Sequence, residues 1–111
     1  MTTQAEPLDT VFQALANPTR RAVVERLGQG PAAVSELAAP FDMALPSFLQ
    51  HLRMLEDCGL VISQKKGRVR TVRIAPQRFE RAAAWLAEQR SVWEKRLDRL
   101  DDYLSNLEDD E

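Results

Sequence analysis

The sequence predicts a mainly α-helical chain with one small β-hairpin and one long C-terminal helix. Three patterns predict it. Apolar residues recur at steps of three and four from Leu8 to Cys58, interrupted by Asn17-Pro18, Gly30-Pro31 and Pro40-Phe41-Asp42. Two short β-branched runs then flank the basic stretch Lys65-Lys66-Gly67-Arg68. Beyond them, residues 77–107 contain neither proline nor glycine, and their apolar positions fall into heptad-like steps.

Taken in order, Leu8, Val11, Phe12 and Leu15 mark a short amphipathic helix over Leu8–Ala16. Asn17 is a good N-cap and Pro18 suits the first helical position, so a second helix starts there. It carries Ala22, Val23 and Leu27 inward and stops at Gly28. After the turn Gln29-Gly30-Pro31, a third helix at about Ala33–Ala39 buries Val34 and Leu37. A fourth starts near Leu45, aligns Phe48, Leu52, Leu55 and Cys58 on one face, and ends with Gly59 as the residue past the cap. Strands follow at Leu60–Gln64 and Val69–Ala75, joined by a tip too charged to be buried. The last helix, Gln77–Leu107, is about 46 Å long at about 1.5 Å per residue. Its seam of Leu86, Trp93, Leu97, Leu100, Leu104 and Leu107, with Trp85 and Tyr103 nearby, exceeds what one small core absorbs. The second half of this helix is therefore expected to pair with a second copy of the chain.

A chain of 111 residues suits a single domain over 1–111: a core at 8–76, the long helix at 77–107 and an acidic tail at 108–111. Its 44% hydrophobic and 29% charged content is that of a globular protein, and no apolar run is long enough for a bilayer. The first seven residues lack a basic residue and an apolar core, so no secretory signal is expected there. A single cysteine forms no internal disulfide, which fits a cytoplasmic protein. The net charge of −2 hides an uneven distribution. Residues 18–74 hold nine basic and five acidic side chains, while both flanking segments are net acidic. A basic middle suits a polyanion, and acidic ends keep the rest of the molecule away from it.

Two short helices joined by a turn and followed by a basic hairpin make a winged helix-turn-helix, in which the second helix enters the major groove of DNA. The stretches FQALANPTRRAVVERLGQGPAAVSELA and MALPSFLQHLRMLEDCGLVISQKKGRVRTVRIAP carry a more specific likeness. Leu15-Ala16-Asn17-Pro18-Thr19-Arg20-Arg21, the pair His51-Leu52 followed by Leu55, and Gly59-Leu60-Val61 before a basic wing resemble the ArsR-type (ArsR/SmtB) bacterial transcriptional repressors over about residues 8–76. The resemblance implies a homodimer built from the first and last helices and a pseudo-palindromic operator. On this chain the implied interface is Leu8, Val11, Phe12 and Leu15 with Trp93, Leu97, Leu100 and Leu104.

The chain departs from the metal-sensing members. Their Cys-x-Cys pair is replaced by Glu36-Leu37-Ala38-Ala39, and the last helix has no histidine. Cys58 and His51 lie about two turns apart on one helix, roughly 10 Å, too far to share an ion. No metal and no other cofactor is expected. Cys58 reads as a small buried hydrophobe, with a redox-sensing thiol as the rarer alternative. His51 reads as a core histidine or a DNA contact, bonding phosphate or neighbouring backbone more often than a base.

The expected reading head is the face of the fourth helix turned away from Phe48, Leu52 and Leu55. Ser47 and Gln50 can bond base edges, Arg53 can reach phosphate, and Leu45 and Leu49 can pack on thymine methyl groups. Two competing explanations of the apolar tip are a protein partner and a shifted helix start that draws Leu45 and Leu49 into the core. Lys65, Lys66, Arg68 and Arg70 on the wing are expected to follow phosphates or enter a minor groove, and Arg73 adds to their charge. No nucleophile–base pair, phosphate loop or paired carboxylates point to an enzyme. The expectation is a DNA-binding regulator with double-stranded DNA and a second copy as partners and no membrane. An unidentified small-molecule or protein effector is left open. The alternative is a winged-helix module that binds protein and has lost DNA.

Overall fold

The structure is a computed structural model that describes residues 7–109. Its elements are α1 (Pro7–Leu15), α2 (Pro18–Leu27), β1 (Ala32–Ala33), α3 (Val34–Ala38), α4 (Leu45–Asp57), β2 (Val61–Lys66), β3 (Val69–Ile74) and α5 (Pro76–Asp109). The chain divides into two compact units, Met1–Glu80 and Arg81–Glu111. Residues 1–6, part of the segment judged not to be a secretory signal, lie outside the described residues, as do Asp110 and Glu111 of the expected acidic tail.

In the first unit the breaks fall where local chemistry requires them. Asn17 caps α2, its Oδ1 accepting from the Arg20 backbone N–H over 3.1 Å, and Pro18 opens the helix. Gly28 closes α2 with ordinary helical dihedrals, not the left-handed ones expected of a glycine past the cap. Gly59 does take the left-handed conformation after α4, at φ +82°. A Cβ there would be strained by this conformation and would also press on the Arg78 side chain at 3.0 Å, so glycine is favoured on both counts.

The core joins α1, α2, α3 and α4 to the inner face of the sheet. Phe48, Leu52 and Leu55 on α4 and Cys58 just past its end are buried, as their spacing predicts, and so are Val11, Val23, Leu27, Leu37, Leu60 and Val72. The expected two-stranded hairpin is a three-stranded antiparallel sheet in the order β1-β3-β2. The added strand is two alanines, Ala32 opposite Val72 and Ala33 opposite Thr71. Such a short strand carries no β-branched signal; it exists because the edge of β3 is open to it. The hairpin is also longer than expected. Lys65 and Lys66 belong to β2, opposite Arg70 and Val69, and only Gly67 and Arg68 form the turn. Gly67 at φ +61° followed by a residue with negative φ is the type II′ pattern, which matches the twist of paired strands.

In the second unit α5 continues as a helix through Asp109, so Glu108 and Asp109, expected in a frayed tail, are helical. Leu86, Trp93, Leu97, Leu100, Tyr103, Leu104 and Leu107 are all exposed in the single chain. No helix among the described residues is long and apolar enough to cross a membrane.

Candidate nucleic-acid interface

Helix α4 is held from behind and left open in front. Its inward residues root it in the core, and Phe41 from the preceding turn stacks on Phe48 with ring centroids 5.6 Å apart. Pro46, Leu49, Gln50 and Arg53 line a shallow groove on the opposite face, at the i, i+3, i+4, i+7 spacing of a single helical stripe. Ser47, Gln50 and Arg53 are exposed, and Leu45 at the helix start is 54% exposed. Leu49 is half-buried. The helix starts at Leu45, so a shifted start that would draw Leu45 into the core is ruled out. No side chain caps this end of the helix.

His51 sits between the two faces, half-buried, with Nδ1 at 3.0 Å from Nη1 of Arg20. Arg20 is the one buried charged residue among the described residues, at 8% exposure. Its Nε donates to the Ala14 carbonyl over 2.6 Å and its Nη2 to the Gln13 carbonyl over 3.3 Å. The neighbouring Arg21 donates to the Leu15 carbonyl over 2.9 Å. These carbonyls belong to the last turn of α1, where intrahelical partners run out and positive charge is favoured. The Arg-Arg pair of the Asn-Pro-Thr-Arg-Arg motif therefore closes α1, and through His51 Arg20 ties α1 to α4.

The wing presents its cations unevenly. Lys65, Lys66 and Arg68 are exposed and have no polar partner among the described residues, and the same holds for Arg53 on α4. Arg70, expected to be equally free, is already engaged. Its Nη2 donates to both carboxylate oxygens of Glu56, over 2.7 and 2.9 Å, and its Nε to Ser63 Oγ over 3.1 Å. Ser63 Oγ in turn donates to Glu56 Oε2 over 3.2 Å. The last turn of α4 is thereby tied to both strands of the wing. Sequence reasoning missed Glu56 and Ser63. The one local signal was the acidic pair Glu56-Asp57 in the last turn of a helix that has no basic residue there, an unfavourable place for negative charge without a partner.

Cys58 is buried, and its thiol donates to the Leu55 carbonyl over 3.4 Å. Burial pushes its pKa up from the ordinary thiol value. It lines a groove of about 210 Å³ with Thr10, Gln13, Ala14, Met54 and Asp57. No group of three or more His, Cys, Asp or Glu side chains that could hold a metal ion occurs among the described residues.

Of the residues expected at a dimer interface, Leu8, Phe12 and Leu15 are half-buried on α1, whereas Val11 is only 1% exposed and lies in the core of its own chain. The helical turn that brings Val11 beside Ala14 faces it inward and leaves no surface for a second copy. In the second unit Trp93, Leu97, Leu100 and Leu104 are exposed.

A helix rooted by its apolar face, open on its polar face and flanked by a cationic β-wing defines a winged helix-turn-helix DNA-binding regulator. The comparisons agree. A family described as a helix-turn-helix domain matches residues 15–64. The HTH-type transcriptional regulator Rv2034 of Mycobacterium tuberculosis is 43% identical over 76 residues, 68% of this chain and 70% of that protein. The arsenical resistance operon repressor of Escherichia coli is 32% identical over 88 residues, 74% of this chain and 75% of that protein. The crystal structure of an ArsR family transcriptional regulator superposes with a TM-score of 0.76 at 57% identity, covering 85% of this chain and 97% of the other. The homodimeric winged helix-turn-helix domain of Mb0332 from Mycobacterium bovis gives 0.60 at 28%, covering 89% and 95%. The chain belongs to the ArsR family of transcriptional regulators.

Proposed function

We propose that the protein is a transcriptional repressor that binds a pseudo-palindromic operator as a homodimer, with α4 in the major groove and the wing on the flanking backbone. The observation that carries this reading is the division of labour on α4. Phe48, Leu52 and Leu55 are buried while Ser47, Gln50 and Arg53 are exposed, beside three wing cations with no polar partner among the described residues. Ser47 and Gln50 read base edges, Leu45 and Leu49 pack on thymine methyl groups, and Arg53, His51, Lys65, Lys66 and Arg68 hold phosphate oxygens. Leu8, Phe12 and Leu15 with Trp93, Leu97, Leu100 and Leu104 form the interface between the two copies. Two related proteins support the finer points: one is named a repressor, and one is described as a homodimer.

Binding to the DNA upstream of the protein's own gene, followed by gel shift across a salt series, tests the reading. A saturable complex that survives excess random DNA and weakens steeply with salt is expected. The exposed Leu45 and the apolar groove beside Leu49 favour one other reading, a winged-helix module that docks on a protein. Failure to bind either the upstream DNA or random DNA would select that second reading.

A further inference from the structure

The three-residue cluster of Glu56, Ser63 and Arg70 has no part in reading bases, yet it joins the two parts of the DNA-binding face. Glu56 lies one residue before the end of α4, Ser63 on β2 and Arg70 on β3. Each member bonds the other two. The guanidinium gives two bonds to the carboxylate and one to the hydroxyl, and the hydroxyl gives its own hydrogen to the carboxylate. With Nε on the hydroxyl and Nη2 on both carboxylate oxygens, the Nε–Nη2 edge of the guanidinium is occupied, so that edge cannot also grip a phosphate. The strand register explains the reach. Arg70 stands opposite Lys65, and Ser63 opposite Val72, whose side chain is buried, so all four lie on the face of the hairpin turned to the core. Lys66 and Val69 lie on the other face.

We propose that Glu56 is a positioning residue for DNA recognition. It captures Arg70, with Ser63 as the bridge, and so fixes the height of the wing relative to α4, and Arg70 is not itself a phosphate contact. Lys65, Lys66 and Arg68 then meet the backbone at a distance set by this clamp. The inference rests on the DNA-binding reading above and assigns a different task to one of the cations that the sequence placed on the DNA.

The two tasks predict opposite outcomes. If Arg70 is an arginine clamped for positioning, Glu56→Gln and Arg70→Ala each weaken binding to the upstream duplex by about two- to fivefold, the range of a partly exposed ion pair. The double variant is then no worse than either single one, and Arg70→Lys, which keeps the charge but loses the fork, behaves like Arg70→Ala. The slope of affinity against salt on a mixed-sequence duplex stays at the wild-type value in all of them. Arg68→Ala, the comparator, lowers that slope by about one. If Arg70 instead holds phosphate, Glu56→Gln frees it and tightens binding, Arg70→Ala flattens the slope, and Arg70→Lys retains it. That result overturns the proposal. Amide hydrogen exchange without DNA separates the inference from the reading beneath it. Faster exchange across residues 61–74 in Glu56→Gln supports the clamp even if no duplex is bound, and unchanged exchange rejects it.

Discussion

Arg20 and His51 meet in the interior of the DNA-binding unit, with Nη1 of the arginine 3.0 Å from Nδ1 of the histidine. A guanidinium has donors only, so Nδ1 must accept, and the ring carries its proton on Nε2. One ring edge is thereby committed to the fold while the other keeps a donor. The same guanidinium holds the Ala14 and Gln13 carbonyls at the end of α1. His51 is therefore half structural: the core-histidine reading that the sequence left open holds for Nδ1, and Nε2 keeps a donor.

This geometry separates stability from binding. Arg20→Ala leaves two carbonyls and a ring nitrogen without their donor and is expected to cost about 2–3 kcal/mol of folding stability. Arg20→Lys recovers only part of it, because one ammonium cannot span three acceptors that a fork reaches together. His51→Asn puts a carbonyl oxygen where Nδ1 was but has nothing in place of Nε2–H. Its thermal midpoint should stay near that of the wild type, while operator affinity falls by about 0.5–1.5 kcal/mol, the worth of one hydrogen bond. His51→Leu should lose both. Thermal melts beside binding isotherms for the four variants check the separation.

Cys58 makes a prediction about pH. Burial raises its pKa, so the folded state favours the protonated thiol. A group raised on folding contributes stability that is fully present below its unfolded value and is lost as pH climbs through the folded one. Stability should therefore fall as the solution passes above the ordinary thiol range, and Cys58→Ala should remove that part of the decline. At neutral pH the native thiol should react with iodoacetamide far more slowly than in denaturant. Native-state labelling as fast as in denaturant would point to an accessible, reactive thiol instead.

Most of the fold was legible because it is written in short-range chemistry. Asn17-Pro18 starts a helix, Gly59 ends one, and the spacing of Phe48, Leu52 and Leu55 says which side of α4 is inside. What was not legible depends on residues far apart in sequence. Ala32 and Ala33 become a strand only because β3 lies beside them. Arg70 looks like any other wing cation until Glu56, fourteen residues earlier, is brought to 2.7 Å. Val11 shares the 3–4 spacing of its neighbours on α1, and only packing decides that it goes to the core while Leu8, Phe12 and Leu15 keep some surface. Of the candidate DNA-binding face, the exposed stripe on α4 followed from periodicity, and the clamp behind the wing did not.

The leucine seam of α5 should control oligomeric state. Leu97 and Leu100 are 56% and 51% exposed in the single chain, so charged replacements there should leave its own packing undisturbed. Leu97→Glu with Leu100→Glu should leave the helical circular dichroism of the DNA-binding unit intact and yield a species of 12.6 kDa by sedimentation at micromolar concentration. The wild type should sediment at twice that mass. Operator binding should disappear with the dimer, because each half-site alone offers too few contacts. A wild-type monomer, or a variant that stays dimeric, would remove α5 from the interface.

Leu49 is the sharpest probe of how α4 reads DNA. It lies in the groove with Pro46, Gln50 and Arg53, and a leucine cannot bond a base edge. Its contribution must come from apolar contact, and the apolar group that marks a base in the major groove is the thymine methyl. Leu49→Ala should therefore weaken operator binding, and replacing the contacted thymine by uracil should weaken the wild type to a similar degree. The variant should lose nothing further on the uracil operator, since the methyl it would have touched is already gone. Gln50→Ala gives the contrast. It should cost about 1–3 kcal/mol on the operator and much less on random DNA, whether or not that methyl is present. Equal losses for Leu49→Ala on thymine and uracil operators would mean that the side chain supports the helix or docks on a protein. Ser47 and Gln50 would then carry the base recognition alone.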